Sequence, residues 1–120
     1  MAYIYLLNGK LTYDEVASRL KQDSRIGFMA WKEDGMNLVR NTELDGNLLL
    51  FRLQGNYQDA YGQSWKLSGN TSVLDIKINN HRNINYGDYP DALARLHGSL
   101  HSHKGRFLIV DAKPGFEFSG

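Results

Sequence analysis

The sequence predicts a single α+β domain, a mostly antiparallel sheet of six to seven strands with two helices, and three observations carry that expectation. At 120 residues the chain has the length of one domain, enough to bury roughly two-thirds of its unfolded surface in one core. Residues 1–120 are therefore read as one unit. Hydrophobic residues make up 42% and charged residues 22%, ordinary values for a chain that folds throughout. The apolar residues fall into short runs punctuated by Asn-Gly, Asp-Gly and Gly-Asn pairs, with two stretches of helical period. That is the pattern of turns and strands with two helices laid on them.

Element by element, the order is strand, helix, five strands, helix, strand. Tyr3-Ile4-Tyr5-Leu6-Leu7 is an apolar run stopped by Asn8-Gly9, which predicts a buried first strand and a turn. Thr12-Tyr13-Asp14-Glu15 has the spacing of a helix capping box. Tyr13, Val16, Ala17 and Leu20 then recur at i, i+3, i+4 and i+7, an amphipathic helix packed on a sheet. Residues 25–31 and 36–41 flank Lys32-Glu33-Asp34-Gly35, a hairpin signal. Residues 47–53 hold Leu48-Leu49-Leu50-Phe51, which predicts a strand covered on both faces, and residues 54–63 read as a polar, Tyr-rich loop. Residues 65–68 and 72–78 bracket Gly69-Asn70, with Leu74, Ile76 and Ile78 alternating as in a half-buried strand. Residues 79–88 read as a loop. Pro90 suits the start of a helix whose stripe is Leu93, Leu96 and Leu100, and Gly98 is a candidate for its end. Phe107-Leu108-Ile109-Val110 predicts a last buried strand, and residues 112–120 a tail.

Charge and composition exclude several classes. Net charge is +1, from 14 basic and 13 acidic residues, so the chain has no broad basic surface of the kind that drives non-specific nucleic-acid binding. Direct nucleic-acid binding is unsupported. With no cysteine, neither a disulfide nor a thiolate metal site can form. No apolar run approaches the ~20 residues of a membrane helix, and the apolar N-terminus is too short for a signal peptide. The expected setting is the cytoplasm, with no membrane partner.

Two constellations are candidates for chemistry. His97-Gly98-Ser99-Leu100-His101-Ser102-His103 places His97 and His101 at i, i+4, the spacing of helical zinc ligands, and His103 or His81 could complete a site. No glutamate stands between them in the H-E-x-x-H manner, and the plainer alternative is a set of helix-end surface histidines. The second constellation is aromatic. Trp31 and Trp65 are expected at strand ends where a cleft opens and a nucleobase could stack; the alternative is that both rings are core. Arg82, Lys104 and Arg106 could hold phosphate, and Tyr86 stands in the same polar stretch as Arg82. No P-loop, G-x-G-x-x-G or nucleophile elbow is present, so an enzyme is the less favoured reading and no cofactor is implied.

Thr12-Tyr13-x-Glu15, Leu20-Lys21, Ile26, Trp31, then Gly35-Met36-x-Leu38, and later Gly62-x-x-Trp65-x-x-Ser68 with Leu74-Asp75, together resemble the small phage proteins that sequester the Thoeris immune signal, a cyclic ADP-ribose isomer. The resemblance spans about residues 12–76. It implies ligand contact by Trp31, Trp65 and Ser68, a homo-oligomer, and no turnover. The first functional expectation is accordingly a phage-type counter-defence or accessory protein that binds without catalysis, concretely by sequestering a signalling nucleotide. The second is a protein-binding inhibitor of a host enzyme such as a CRISPR effector, using Tyr- and Asn-rich loops. The third is a metal-dependent hydrolase or nuclease centred on His97, His101 and His103.

Overall fold

The computed structural model describes residues 1–6, 11–20, 22–41, 47–113 and 115. The predicted Asn8-Gly9 turn and residues 116–120 lie outside them. The chain forms β1 (Ala2–Tyr5), α1 (Tyr13–Leu20), β2 (Ile26–Glu33), β3 (Met36–Asn41), β4 (Leu48–Asp59), β5 (Ser64–Gly69), a 3₁₀ turn (Thr71–Leu74), β6 (Ile76–Ile78), β7 (Asn83–Tyr86), α2 (Ala92–Ser102) and β8 (Phe107–Ala112). All eight strands join one sheet in the order β1-β8-β2-β3-β4-β7-β6, with β5 also paired to β4. Every pairing is antiparallel except β4 with β7, which is parallel at Gln58 to Asn83 and Asp59 to Ile84. The α+β class holds, with one strand more than the sequence predicts.

The two helices cover opposite faces. Strand β8 shows why: Phe107 and Ile109 join one buried cluster, while Leu108 and Val110 join the other. A strand apolar at every position is one covered on both sides. The larger cluster collects Phe28, Val39, Leu49, Phe51, Trp65 and Ile84 beneath Leu93, Leu96 and Leu100 of α2. The smaller one packs Tyr13, Val16 and Ala17 of α1 on Ile26, Met29, Trp31, Leu108 and Val110. Helix α1 starts where the sequence places it, because the Glu15 amide donates to Thr12 Oγ1 at 3.1 Å. The β2–β3 hairpin turns on Asp34 and Gly35, both at positive φ (51° and 79°), as a two-residue Asp-Gly turn requires.

The departures from expectation have local causes. β1 is not buried but alternates between half-buried and exposed, since it is an edge strand paired on one side. Residues 54–59, expected in a loop, continue β4. The first half of the predicted strand at 72–78 is instead the 3₁₀ turn, held by Asn70, whose side chain accepts from the Ser72 amide at 2.9 Å. β7 lies inside the predicted loop at 79–88; its partners are Gln58, Asp59 and β6, and Asn83-Ile84-Asn85-Tyr86 is too short for its alternation to stand out in a polar stretch. Helix α2 begins after Asp91, not at Pro90, and passes through Gly98 to Ser102. Among the described residues no helix is long and apolar enough to cross a membrane.

Candidate functional site

Strand β4 is irregular at one place. Leu53 and Tyr57 both stand opposite Trp65 of β5, so residues 54–56 bulge out of the ladder. Gly55 makes this possible: a Cβ there would lie 2.2 Å from the Lys66 amide nitrogen and the Trp65 carbonyl oxygen, closer than any side chain can approach. The bulge opens a groove whose walls include Arg52, Gln54, Tyr57, Lys66 and Arg82.

Three unfavourable features meet in this groove. Arg52 and Lys66 are direct cross-strand partners, and like charges so placed repel. Gln54 and Arg82 have φ of 67° and 61°; of the five non-glycine residues at positive φ among the described residues, the other three are Asp34, Asp75 and Asp91. Asp reaches this region through its short polar side chain, whereas Gln and Arg have no such compensation, at a cost of order 1–2 kcal/mol each. Arg82 in this conformation carries its guanidinium 5.9 Å from the centroid of the Tyr57 ring. Three cations thus line one groove that has no carboxylate among its lining residues. Local rules broken together at one place mark a functional site more often than a structural one.

A rigid buried node lies next to the groove. The Asp59 carboxylate, 8% exposed, accepts from the Trp65 indole (3.0 Å) and the Tyr86 hydroxyl (2.8 Å) on Oδ2, and from the Tyr61 and Gln63 amides (3.0 Å each) on Oδ1. Burial by itself would raise its pKa, but these four donors, led by Trp65, outweigh it and hold the carboxyl below its ordinary value. Burial, reinforced by the hydrogen bond to Asp59, pushes the Tyr86 hydroxyl well above the usual tyrosine range. Asp59 is therefore ionised, saturated with donors and turned inward.

The sequence-predicted residues separate into groups. Arg82 lines the groove, and Ser68 lies on the same face of β5 as Lys66, two residues on, exposed. Tyr86 belongs to the Asp59 node. The two tryptophans do not form a ligand cleft: Trp31 is 2% and Trp65 1% exposed, and they lie in different clusters on opposite faces of the sheet. Trp31 stacks on Tyr13 at 5.9 Å, and Trp65 packs edge-on to Phe51 at 5.7 Å. Both are core rings. Lys104 is exposed, and the Arg106 guanidinium donates to the Leu11 carbonyl at 3.0 Å and sits 5.0 Å from the Tyr13 ring centroid, so neither joins Arg82.

The histidines divide too. His97 and His101 stack at 4.1 Å and grip a fully buried carboxamide, with Asn37 Nδ2 3.1 Å from His97 Nδ1 and Asn37 Oδ1 3.0 Å from His101 Nε2. This orientation makes His97 an acceptor at Nδ1, hence a neutral ring, and His101 a donor at Nε2. Burial lowers both pKa values, helped at His101 by His97 and Lys32. His103 instead packs on Tyr3 at 4.8 Å, and His81 is exposed in the β6–β7 turn. Among the described residues no three His, Cys, Asp or Glu side chains gather as a metal site, so the histidine cluster expected from the sequence is a pair holding Asn37.

Sequence reasoning missed Arg52 and Lys66, and it placed Gln54 and Tyr57 in a polar, Tyr-rich loop offered for protein contact, not in a strand bulge. The one available signal was Gly55, a glycine within a run of strand-forming residues. Set beside known proteins, the chain matches no family model, no curated protein and no solved structure.

Proposed function

We propose that the protein works by binding, without turnover, a phosphorylated small ligand of the nucleotide class at the β4 bulge. The observation that carries this reading is the cross-strand pair of Arg52 and Lys66, placed with Arg82 in one groove without a neutralising carboxylate. An anion bridging these side chains removes their repulsion and gains charge-assisted hydrogen bonds, of which the arginine forks give the most directional. The engagement of two candidate proton-transfer groups supports binding over catalysis: Asp59 is saturated by four donors, and His97 and His101 are occupied with Asn37. In biological terms this is the phage-type counter-defence reading, with sequestration of a signalling nucleotide as its concrete form.

Thermal unfolding at low salt with a panel of cyclic and linear nucleotides tests it. Ligand binding to the folded state raises the melting temperature by mass action, Lys66→Ala abolishes the rise, and chromatography returns the nucleotide unchanged. A panel in which nothing raises the melting temperature removes the proposal, and recovery of a converted nucleotide removes its non-catalytic part.

A second reading, inhibition of a host enzyme by protein contact, is favoured by one observation. Tyr61, 60% exposed, is the most exposed large hydrophobic side chain among the described residues, and Tyr- and Asn-rich surfaces suit adaptable protein contacts. Loss of a co-purifying partner on changing Tyr57 and Tyr61 to Ala, with nucleotide binding absent throughout, favours that reading over the first.

A further inference from the structure

Beside the cationic groove lies a second concavity of different chemistry, and the two adjoin where β4 meets the chain entering β7. The groove is lined by Tyr57 and Arg82, the second concavity by the residue after each, Gln58 and Asn83, together with Asn85. The Gln58 amide donates to the Arg82 carbonyl at 3.0 Å, which fixes the two walls against each other. Gln58, Asn83 and Asn85 are exposed, and among the described residues their carboxamides have no hydrogen-bond partner. Asn79, which also lines the concavity, is different: its Oδ1 accepts from the His81 and Asn83 amides at 2.8 and 3.0 Å and holds the turn before β7. Tyr61 presents an exposed ring one residue beyond the lining Ala60.

We propose that this carboxamide-lined concavity is a nucleobase subsite, so that the ligand is a nucleoside phosphate whose base lies on β4–β7 while its phosphate occupies the Arg52–Lys66–Arg82 groove. The inference rests on the groove holding phosphate, as argued above. A carboxamide offers a donor and an acceptor side by side, the complement of a base edge that presents the same pair. Three such groups without partners suit a neutral ligand part with many hydrogen bonds, and they suit neither a second phosphate nor an alkyl chain. Asp59, although it borders the concavity, adds no open acceptor because both its oxygens are already taken. A phosphate and a base are thus recognised by adjacent patches of opposite character, one cationic and one neutral.

The test compares ligands that share one part but not the other, by isothermal titration calorimetry at low salt: the four nucleoside 5′-monophosphates, ribose 5-phosphate and inorganic phosphate. At least one nucleotide is expected to bind about tenfold or more tightly than ribose 5-phosphate, the discrimination of one good carboxamide–base pair. The double variant Asn83→Ala, Asn85→Ala is expected to bring that nucleotide down to the affinity of ribose 5-phosphate while leaving ribose 5-phosphate itself unchanged. Lys66→Ala is expected to weaken all of them. If every phosphate ligand binds the wild-type protein equally and the double variant changes nothing, the base subsite is overturned while the groove reading stands. If none binds at all, the groove reading falls and the subsite with it. The wild-type ligand comparison decides the point even if the double variant fails to fold.

Discussion

The two ends of the sheet follow different rules. At the end formed by β1, β8, β2 and β3, helices lie on both faces, apolar residues fill β8 at four successive positions, and the Asp34-Gly35 turn uses the residues its geometry asks for. At the other end, α2 covers one face of β4, β5, β6 and β7. The opposite face carries Arg52, Lys66, Ser68, Lys77, Asn83 and Asn85, and the strand between them is broken by a bulge with Gln54 and Arg82 at positive φ. The first end is mostly core packing, although the Trp31 indole N–H is buried without a hydrogen-bond partner among the described residues and β2 shifts register against β8 between Ile26 and Phe28. The second retains repulsion and strain that simpler residues would remove, and selection retains such features where a ligand compensates them.

Tryptophan truncation sharpens this contrast most. Trp31→Ala and Trp65→Ala each remove a core ring and are expected to lower stability by about 3–5 kcal/mol, measured by denaturant unfolding. Trp65 stands opposite both ends of the bulge and donates to Asp59, so its loss should also abolish nucleotide binding in the fraction that remains folded. Trp31→Ala should leave binding intact. Equal effects on binding would break the comparison.

The histidine pair gives the next effect, through pH. His97 and His101 have folded-state pKa values below the ordinary 6.5, so the unfolded chain takes up protons first as pH falls. Stability is therefore full above about pH 6.5 and declines below it, toward and through the folded values. A proton on His97 Nδ1 would also face the Asn37 amide group and place a charge against His101 and near Lys32. Replacing both histidines by Gln should flatten the melting temperature between pH 7.5 and 5.5; an unchanged slope would assign the acid sensitivity elsewhere.

The smallest effects carry the opposite sign. Gln54→Gly relieves the left-handed backbone at the bulge, less the glycine's own entropy, a gain of up to about 1 kcal/mol. Lys66→Glu turns the like-charge pair with Arg52 into an attractive one, worth about 0.2–1 kcal/mol, and should abolish phosphate binding. A site that becomes more stable when disabled is the signature expected of this end of the sheet. A loss of stability in Lys66→Glu would mean the cations are structural.

The contrast also explains what could be read from the sequence. The closed end was mostly legible because its strongest signals obey local rules: the Thr12 cap, the i, i+3, i+4, i+7 stripe of α1, the Asp-Gly turn and the unbroken run of β8 each signal one structure. The candidate site was not. Arg52 and Lys66 become partners only once β4 and β5 pair, and the residues after Leu53 look like a loop because the bulge shifts their alternation. β7 is four residues, Asn83-Ile84-Asn85-Tyr86, with Ile84 alone fully buried, and its strand state comes from Gln58 and Asp59, distant in sequence. Trp31 and Trp65 drew notice for their chemistry, but ring size more often serves a core, and here it does so on both faces. The spacing of His97 and His101 correctly put them on one helical face, while the partner they share, Asn37, is polar, buried and on another strand.

The position of β8 between β1 and β2 bears on how the chain reaches this structure. Ala2 pairs with Val110 and Met29 with the same residue from the other side, so both neighbours wait for a strand that follows them by most of the sequence. Closing so long a loop is entropically slow, and topologies dominated by distant contacts fold slowly. Until Phe107–Ala112 inserts, β2 has an open edge, β1 has no partner, and the apolar side of α1 lacks Leu108 and Val110 beneath it. The end of the sheet with core on both faces of β8 is thus the last to close, and its unpaired edges set the window for aggregation during folding.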